Sequence, residues 1–105
     1  MSFSDIIFKR TYAWDQNETW EQCAQRVVNF VTRDTRVSSV SQDLVAAITA
    51  KKFMPGGRYL YSSGRRIPQV NNCTLLRAED SREGWGDLAQ KCTVTLATVA
   101  GVGVE

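Results

Sequence analysis

This 105-residue chain contains no histidine, and its candidates for thiol chemistry are three cysteines, Cys23, Cys73 and Cys92. Cys73 is the strongest candidate, since it follows the polar pair Asn71-Asn72 and opens a short apolar run. A thiol in that place could face a cleft of nucleotide size, and nearby arginines would favour its thiolate form. The alternative is that Cys73 is a small buried hydrophobic side chain. Without histidine, metal sites and acid–base mechanisms that depend on imidazole are excluded.

The other two cysteines, Cys23 and Cys92, lie on apolar faces of predicted helices, where we expect inert core packing. The spacings between the three cysteines, 50 and 19 residues, match no zinc motif, and we predict no metal site. An odd number of cysteines without any sign of secretion predicts a reducing cytoplasm and no disulfide framework.

Positive charge is concentrated between Lys51 and Arg77, where six basic residues occur without an acidic one although the whole chain carries only +2. Glycines and hydroxyl side chains accompany these basic residues. Arginine forks and exposed backbone N–H groups both suit phosphate, so this segment is a candidate anion site. The alternative is an ordinary solvated basic loop, since neither the P-loop nor the dinucleotide-binding glycine pattern is present.

Two helices are predicted in the first half of the chain, leading into the basic segment. Residues 1–16 show no dominant period and are predicted to be extended. A helix is predicted over residues 17–32, capped by Asn17 or Thr19. Its apolar face comprises Trp20, Cys23, Val27, Val28 and Val31. After a polar connection, a second helix is predicted from Ser41 to Phe53, with Ser41 as its cap and a Met-Pro-Gly-Gly stop after it.

The second half predicts a loop, a strand and a helix. Residues 54–72 read as a long loop, and Cys73 begins a short buried strand. Asp80-Ser81 can cap a third helix, whose stripe comprises Trp85, Leu88, Cys92, Leu96 and Val99. The run from Val94 to Val104 is too short and too polar to span a bilayer. The chain ends on this glycine-containing apolar run without a cap, so we expect it to be a piece of a longer protein.

Short motifs in a fixed order cover nearly the whole chain. The early motifs are Lys9-Arg10-Thr11-Tyr12-Ala13, Glu18-Thr19-Trp20-Glu21 and Arg26-Val27-Val28. The later motifs are Pro55-Gly56-Gly57-Arg58-x-Leu60, Ser63-Gly64, Asn71-Asn72-Cys73, Asp80-Ser81 and Ala100-Gly101-Val102-Gly103-Val104. In this order they resemble the N-terminal part of adenosylcobalamin-dependent (class II) ribonucleotide reductases. The glycine-rich loop fits other reductase classes as well, and the Lys-Arg-Thr-Tyr-Ala motif favours the cobalamin class.

The resemblance implies an α/β fold in two regions. Residues 1–53 would form an N-terminal helical region. Residues 54–105 would form the substrate loop, the first strand of a ten-stranded α/β barrel, the helix after it and a closing glycine turn. The barrel would therefore be incomplete in this chain.

The resemblance also implies roles for individual residues. Cys73 would lie on the first barrel strand below a bound ribonucleotide, where a thiyl radical on a distant cysteine abstracts the 3′ hydrogen. Cys73 and a partner cysteine would act as the two-electron reductant and close to a disulfide. The residues implied to hold the substrate are Ser62, Ser63, Gly64, Asn72, Gly101 and Gly103.

The cofactor implied is adenosylcobalamin, bound by segments that this chain lacks, as are the radical cysteine and the partner of Cys73. We therefore expect the chain to be inactive alone. Its expected partners are a ribonucleotide, the remainder of the reductase chain and a thioredoxin-like reductant, with no membrane and no nucleic acid. We expect the protein to act in the cytoplasm, in deoxyribonucleotide synthesis for DNA replication.

Two other functions stay open. The basic residues 51–77, with Tyr12 and Trp14 near Lys9 and Arg10, could stack and bind single-stranded nucleic acid. A net charge of only +2 is low for a dedicated nucleic-acid domain. The chain could also be an assembly fragment without chemistry of its own.

Overall fold

The helices and strands belong to two separate units, Met1–Val70 and Asn71–Glu105. The structure is a computed structural model and describes residues 1–35 and 38–105. The first unit contains α1 (Phe3–Ile7), a π-helical turn (Phe8–Tyr12), α2 (Trp20–Val31), α3 (Ser38–Thr49) and α4 (Gly57–Ser62). The second contains β1 (Cys73–Leu76), α5 (Arg82–Ala97) and β2 (Gly101–Val104). The division after Val70 places α4 with the N-terminal helices, whereas the boundary expected from the resemblance lies after residue 53.

The N-terminus is helical, so the predicted extended segment is wrong. Ser2 and Asp5 form a capping box, in which the Asp5 amide donates to Ser2 Oγ (3.2 Å) and the Ser2 amide donates to Asp5 Oδ2 (2.9 Å). This Ser-x-x-Asp signal was present in the sequence and outweighs the lack of a clear period. The π-helical turn that follows buries Phe8 against Cys23, Val27 and Leu60.

Helix α2 confirms the predicted first helix and its Thr19 cap. The Gln22 amide donates to Thr19 Oγ1 (3.2 Å), and Gln22 Oε1 accepts from the Thr19 amide (2.9 Å). The helix buries both sides of its apolar face. One side joins the cluster around Phe8, and the other packs Ala24 and Val28 against Ile48 of α3.

Helix α3 is displaced from the predicted span of residues 41–53. It begins at Ser38, so Ser41 lies inside it and is not the N-cap; residues 36 and 37 of the predicted connection lie outside the described part of the chain. It ends at Thr49, where Lys51 takes a left-handed conformation (φ 57°) and the Lys52 amide donates to Ala47 O (2.9 Å). This backbone reversal ends the helix before the Pro-Gly-Gly segment is reached.

The predicted loop of residues 54–72 contains a short helix, α4. Leu60 is its anchor, because its side chain is buried in the cluster around Phe8. Burial of one leucine and backbone hydrogen bonds to Gly56 O therefore order a segment whose glycine and serine content predicted a loop.

The second unit is a strand–helix–strand unit with two parallel strands. Strand β1 confirms the predicted span 73–76, and Cys73 pairs with Gly101. The predicted glycine turn is wrong, since Gly101–Val104 is strand β2. The Gly101 amide donates to Asn72 O (2.8 Å) and the Glu105 amide to Leu76 O (2.9 Å), so these donors of the terminal run are matched. β1 is not buried as expected, because alternate residues are exposed.

Helix α5 connects the two strands, as parallel pairing requires. Ser81 caps it as predicted, with its Oγ accepting from the Gly84 amide (2.9 Å). Of the predicted stripe, Leu88 is buried, whereas Trp85 and Leu96 are exposed and Val99 lies beyond the helix. Within the described ranges, no helix is long and apolar enough to cross a membrane.

Candidate functional site

Cys73 is the exposed first residue of β1. Gly101 stands directly opposite it in the parallel register. A Cβ atom built on Gly101 would lie 3.2 Å from Cys73 Sγ, which is tighter than most real contacts, and 3.5 Å from Asn72 O, which is an ordinary contact. The absence of a side chain at residue 101 therefore keeps space beside the sulfur.

The neighbouring predicted site residues lie on these two strands or directly before them. Asn72 immediately precedes the thiol, and its carbonyl accepts the Gly101 amide. Gly103 pairs with Leu75, and a Cβ atom there would lie 3.5 Å from Leu75 Cδ1, an ordinary contact. The second unit thus brings together Asn72, Cys73, Gly101 and Gly103.

The remaining predicted substrate residues, Ser62, Ser63 and Gly64, lie at the end of α4 in the first unit. Both serines are buried, and Ser63 Oγ donates to Tyr59 O (2.5 Å). Gly64 is exposed and has a φ of +80°, a conformation that glycine adopts without strain. The exposed group of this segment is therefore the glycine backbone and not a serine hydroxyl.

The Ser63 carbonyl accepts a hydrogen bond from Arg26, which forms a largely buried ion pair with Glu18 that the sequence patterns did not predict. Arg26 Nε and Nη2 donate to the two carboxylate oxygens of Glu18 at 2.7 and 2.9 Å, and Arg26 Nη1 donates to Ser63 O at 2.8 Å. The Trp14 amide donates to Glu18 Oε2 at 2.6 Å. The relative exposures of the Arg26 and Glu18 side chains are 13% and 8%. The only sequence signal was an arginine beside the apolar face of α2.

The electrostatics of this pair favour both charges. Burial acts to raise the pKa of Glu18, but the hydrogen bonds from Arg26 and the Trp14 amide outweigh it and hold the pKa below its ordinary value. Burial acts to lower the pKa of Arg26, and Glu18 more than offsets this. The pair is therefore fully ionised at neutral pH.

A second arginine, Arg65, follows Gly64 in the chain and packs on two aromatic rings. Its guanidinium carbon lies 4.8 Å from the Trp14 ring centre and 4.1 Å from the Tyr61 ring centre. Its Nε donates to Tyr61 O (2.7 Å) and its Nη2 to Ala13 O (3.3 Å). The guanidinium of Arg26 also lies 5.6 Å from the Trp14 ring centre. Both arginines thus connect the chain around Trp14 to the end of α4.

The other thiols are placed differently from Cys73. Cys23 is fully buried, as expected for core packing, and burial raises its pKa to about 11. A thiol with that pKa stays protonated and unreactive at neutral pH. Cys92 is half-buried on α5.

A cleft of about 590 Å³ in the first unit contains none of the predicted site residues. Its walls include Phe8, Trp20 and Leu60, with Asp5 and Lys51 among its charged residues. Residues 1–35 and 38–105 hold no cluster of three or more Cys, Asp or Glu side chains that could bind a metal ion. No protein-family model matches the chain, and no curated protein matches it.

Proposed function

We propose that this chain is the N-terminal portion of a ribonucleotide reductase and supplies one of the enzyme's two redox-active cysteines, Cys73. The observation that carries the proposal is the exposed Cys73 thiol at the start of a parallel strand, beside a glycine whose missing side chain leaves room for a substrate. The motif order described above supports the assignment to the cobalamin-dependent class.

The chemistry assigned to Cys73 is a two-electron reduction. Its thiol gives a proton to the departing 2′ hydroxyl of the ribonucleotide, which leaves as water. The Cys73 sulfur and a partner cysteine then form a disulfide, and their two electrons reduce the sugar. Adenosylcobalamin, held by other segments, would supply the radical chemistry when bound, and a thioredoxin-like dithiol would reduce the disulfide afterwards.

The strand–helix–strand unit supports the proposed barrel, because this unit repeats in parallel α/β barrels. Leu75 on β1, Leu96 on α5 and Val104 on β2 are each more than half exposed. Apolar side chains on both layers suit further strands and helices packing there. We propose that the rest of the reductase chain provides them. A reducing cytoplasm suits the redox cycle of Cys73.

The nucleic-acid function is the weaker alternative. The structure does bring Trp14 of the N-terminal segment into contact with Arg65 of the basic segment. However, guanidinium groups of Arg26 and Arg65 both pack on the indole, which leaves less of its face for a base. A salt titration with single-stranded oligonucleotides tests it, since a steep salt dependence of micromolar binding would favour this alternative.

Complementation tests the main proposal. The full 105-residue chain is mixed with the C-terminal portion of a class II reductase, a ribonucleotide, adenosylcobalamin and a dithiol, and deoxyribonucleotide is measured. We expect turnover with the wild-type chain and with Cys92→Ser, and none with Cys73→Ser. Full turnover by Cys73→Ser would refute the role of Cys73. If no variant of the chain supports deoxyribonucleotide formation, the proposed function is refuted. The same holds if deoxyribonucleotide forms equally well when the 105-residue chain is left out.

A further inference from the structure

The cleft in the first unit has the size and the walls of a small-molecule site. Its volume is about 590 Å³, and its apolar walls include Phe8, Trp20, Met54 and Leu60. The rings of Phe8 and Trp20 meet edge to face, with their centres 5.6 Å apart. Sites for small organic ligands have volumes in this range and combine apolar walls with a few polar groups. The cleft lies wholly within one unit and contains no residue assigned to the reductase chemistry, so it is available for a separate function.

Two irregular stretches of backbone border this cleft. The π-helical turn Phe8–Tyr12 supplies both of its end residues to the lining, and single π-helical turns occur often at functional sites. Lys51, which also lines the cleft, has a φ of 57°, and residues with a side chain in such conformations cluster at ligand-binding sites. A Cβ atom on Gly57 would lie 2.9 Å from Tyr12 Cε1, so the Tyr12 ring depends on a glycine there. These features favour a binding role for the cleft over loose packing.

Charged side chains of both signs line the cleft without pairing. Asp5 and Glu21 are acidic and Lys51 is basic. Among the residues that the structure describes, none forms a salt bridge with any of these three. Hydrogen bonds from Ser2 lower the pKa of Asp5 and the charge of Lys51 adds to this effect, so the carboxylate is ionised at neutral pH. The cleft therefore offers separate negative and positive groups beside an apolar wall.

We propose that this cleft binds a free α-amino acid with a large apolar side chain. The ammonium group of the ligand pairs with the carboxylates of Asp5 and Glu21, and its carboxylate pairs with the Lys51 ammonium. Its side chain packs on Phe8 and Trp20. A ligand of one charge would face a like charge in the cleft, and an uncharged ligand would desolvate all three groups without replacing their water. This binding function is independent of the proposed reductase chemistry, and its test decides nothing about that chemistry.

A series of four ligands tests the proposal on the 105-residue chain by isothermal titration calorimetry. We expect L-phenylalanine to bind with a dissociation constant of about 0.1–1 mM, as suits a ligand of its size. Phenethylamine lacks the carboxylate and 3-phenylpropanoate lacks the ammonium, and each should bind at least about tenfold more weakly. Glycine, which lacks the apolar side chain, should bind more weakly still. The proposal is overturned if any of these three analogues binds as tightly as L-phenylalanine, or if L-phenylalanine gives no binding up to about 10 mM.

Two neighbouring lysines supply matched variants that locate the site. Lys51 lines the cleft, whereas Lys52 is exposed and is not part of the lining. We expect Lys51→Met to weaken L-phenylalanine binding about tenfold but not phenethylamine binding, because only the amino acid uses the Lys51 ammonium. Lys52→Met should bind both ligands as wild type does. Wild-type affinity of Lys51→Met for L-phenylalanine would show that the amino acid does not bind in this cleft. If a variant does not fold, the ligand series on the wild-type chain decides.

Discussion

A methyl group added at Gly101 should interfere with the Cys73 thiol, whereas one added at Gly103 should not. In Gly101→Ala, the new Cβ would meet Cys73 Sγ at 3.2 Å, so the sulfur or the strand must move by a few tenths of an ångström. In Gly103→Ala, the new Cβ meets Leu75 Cδ1 at an ordinary 3.5 Å. Neither glycine has a positive φ, so both positions accept alanine without backbone strain.

The size of the effect follows from the contact. Displacing a side chain from its preferred rotamer costs about 1 kcal/mol. Replacing glycine by alanine returns about 0.4–1 kcal/mol by restricting the unfolded chain. We therefore expect the stability of Gly101→Ala to be close to that of wild type and about 1 kcal/mol below that of Gly103→Ala. A barrier of the same size would slow attack by the shielded sulfur about threefold to tenfold.

The reaction rate of the Cys73 thiol measures directly how far the added methyl group shields the sulfur. Each glycine variant is made in a Cys92→Ser background, where Cys23 is protected by burial, and release of the leaving thiol from an aromatic disulfide reagent is followed at neutral pH. We expect Cys73 to react more slowly in Gly101→Ala and at the wild-type rate in Gly103→Ala. In denaturant, the two glycine variants and their Cys92→Ser parent should react at the same rate. Equal native rates in the two glycine variants would refute the view that Gly101 keeps space beside the thiol.

Two further outcomes follow from backbone conformation and burial. Val99 has φ 64° and is 72% exposed, so Val99→Gly should remove about 1–2 kcal/mol of left-handed strain and raise the free energy of unfolding by about 0.5–1 kcal/mol after the entropy cost. Val94→Gly, inside α5, should instead lower it, and a fall in both variants during urea unfolding would contradict this reasoning. The pKa of Cys23 is raised from its ordinary 9.0 to about 11. The contribution of this protonated thiol to the free energy of unfolding is therefore complete below pH 9 and is lost as the pH rises through 11. That loss is roughly 3 kcal/mol, and it should be absent from Cys23→Ala. If the free energy of unfolding falls in parallel in wild type and Cys23→Ala between pH 8 and pH 11, Cys23 does not titrate as described.

Local signals in the sequence were sufficient for several elements. Thr19 and Ser81 cap their helices by side-chain bonds to residues three positions ahead, and such caps need no distant partner. The apolar run that begins at Cys73 also indicated the first strand, although the strand that it pairs with, β2, lies far along the chain. The errors fall where a competing local signal was overlooked, as at Ser2, or where the ordering contact is distant, as for Leu60.

The reactive side chains, the starts of two helices and the position of the first strand can all be read from the amino-acid sequence alone. The pairing of Gly101 with Cys73 and the hydrogen bond from Arg26 to Ser63 O appear only once the chain is folded, because these contacts join residues that are far apart in the chain. Strand register and the path of a buried guanidinium depend on how whole elements pack, and no single stretch of sequence encodes them.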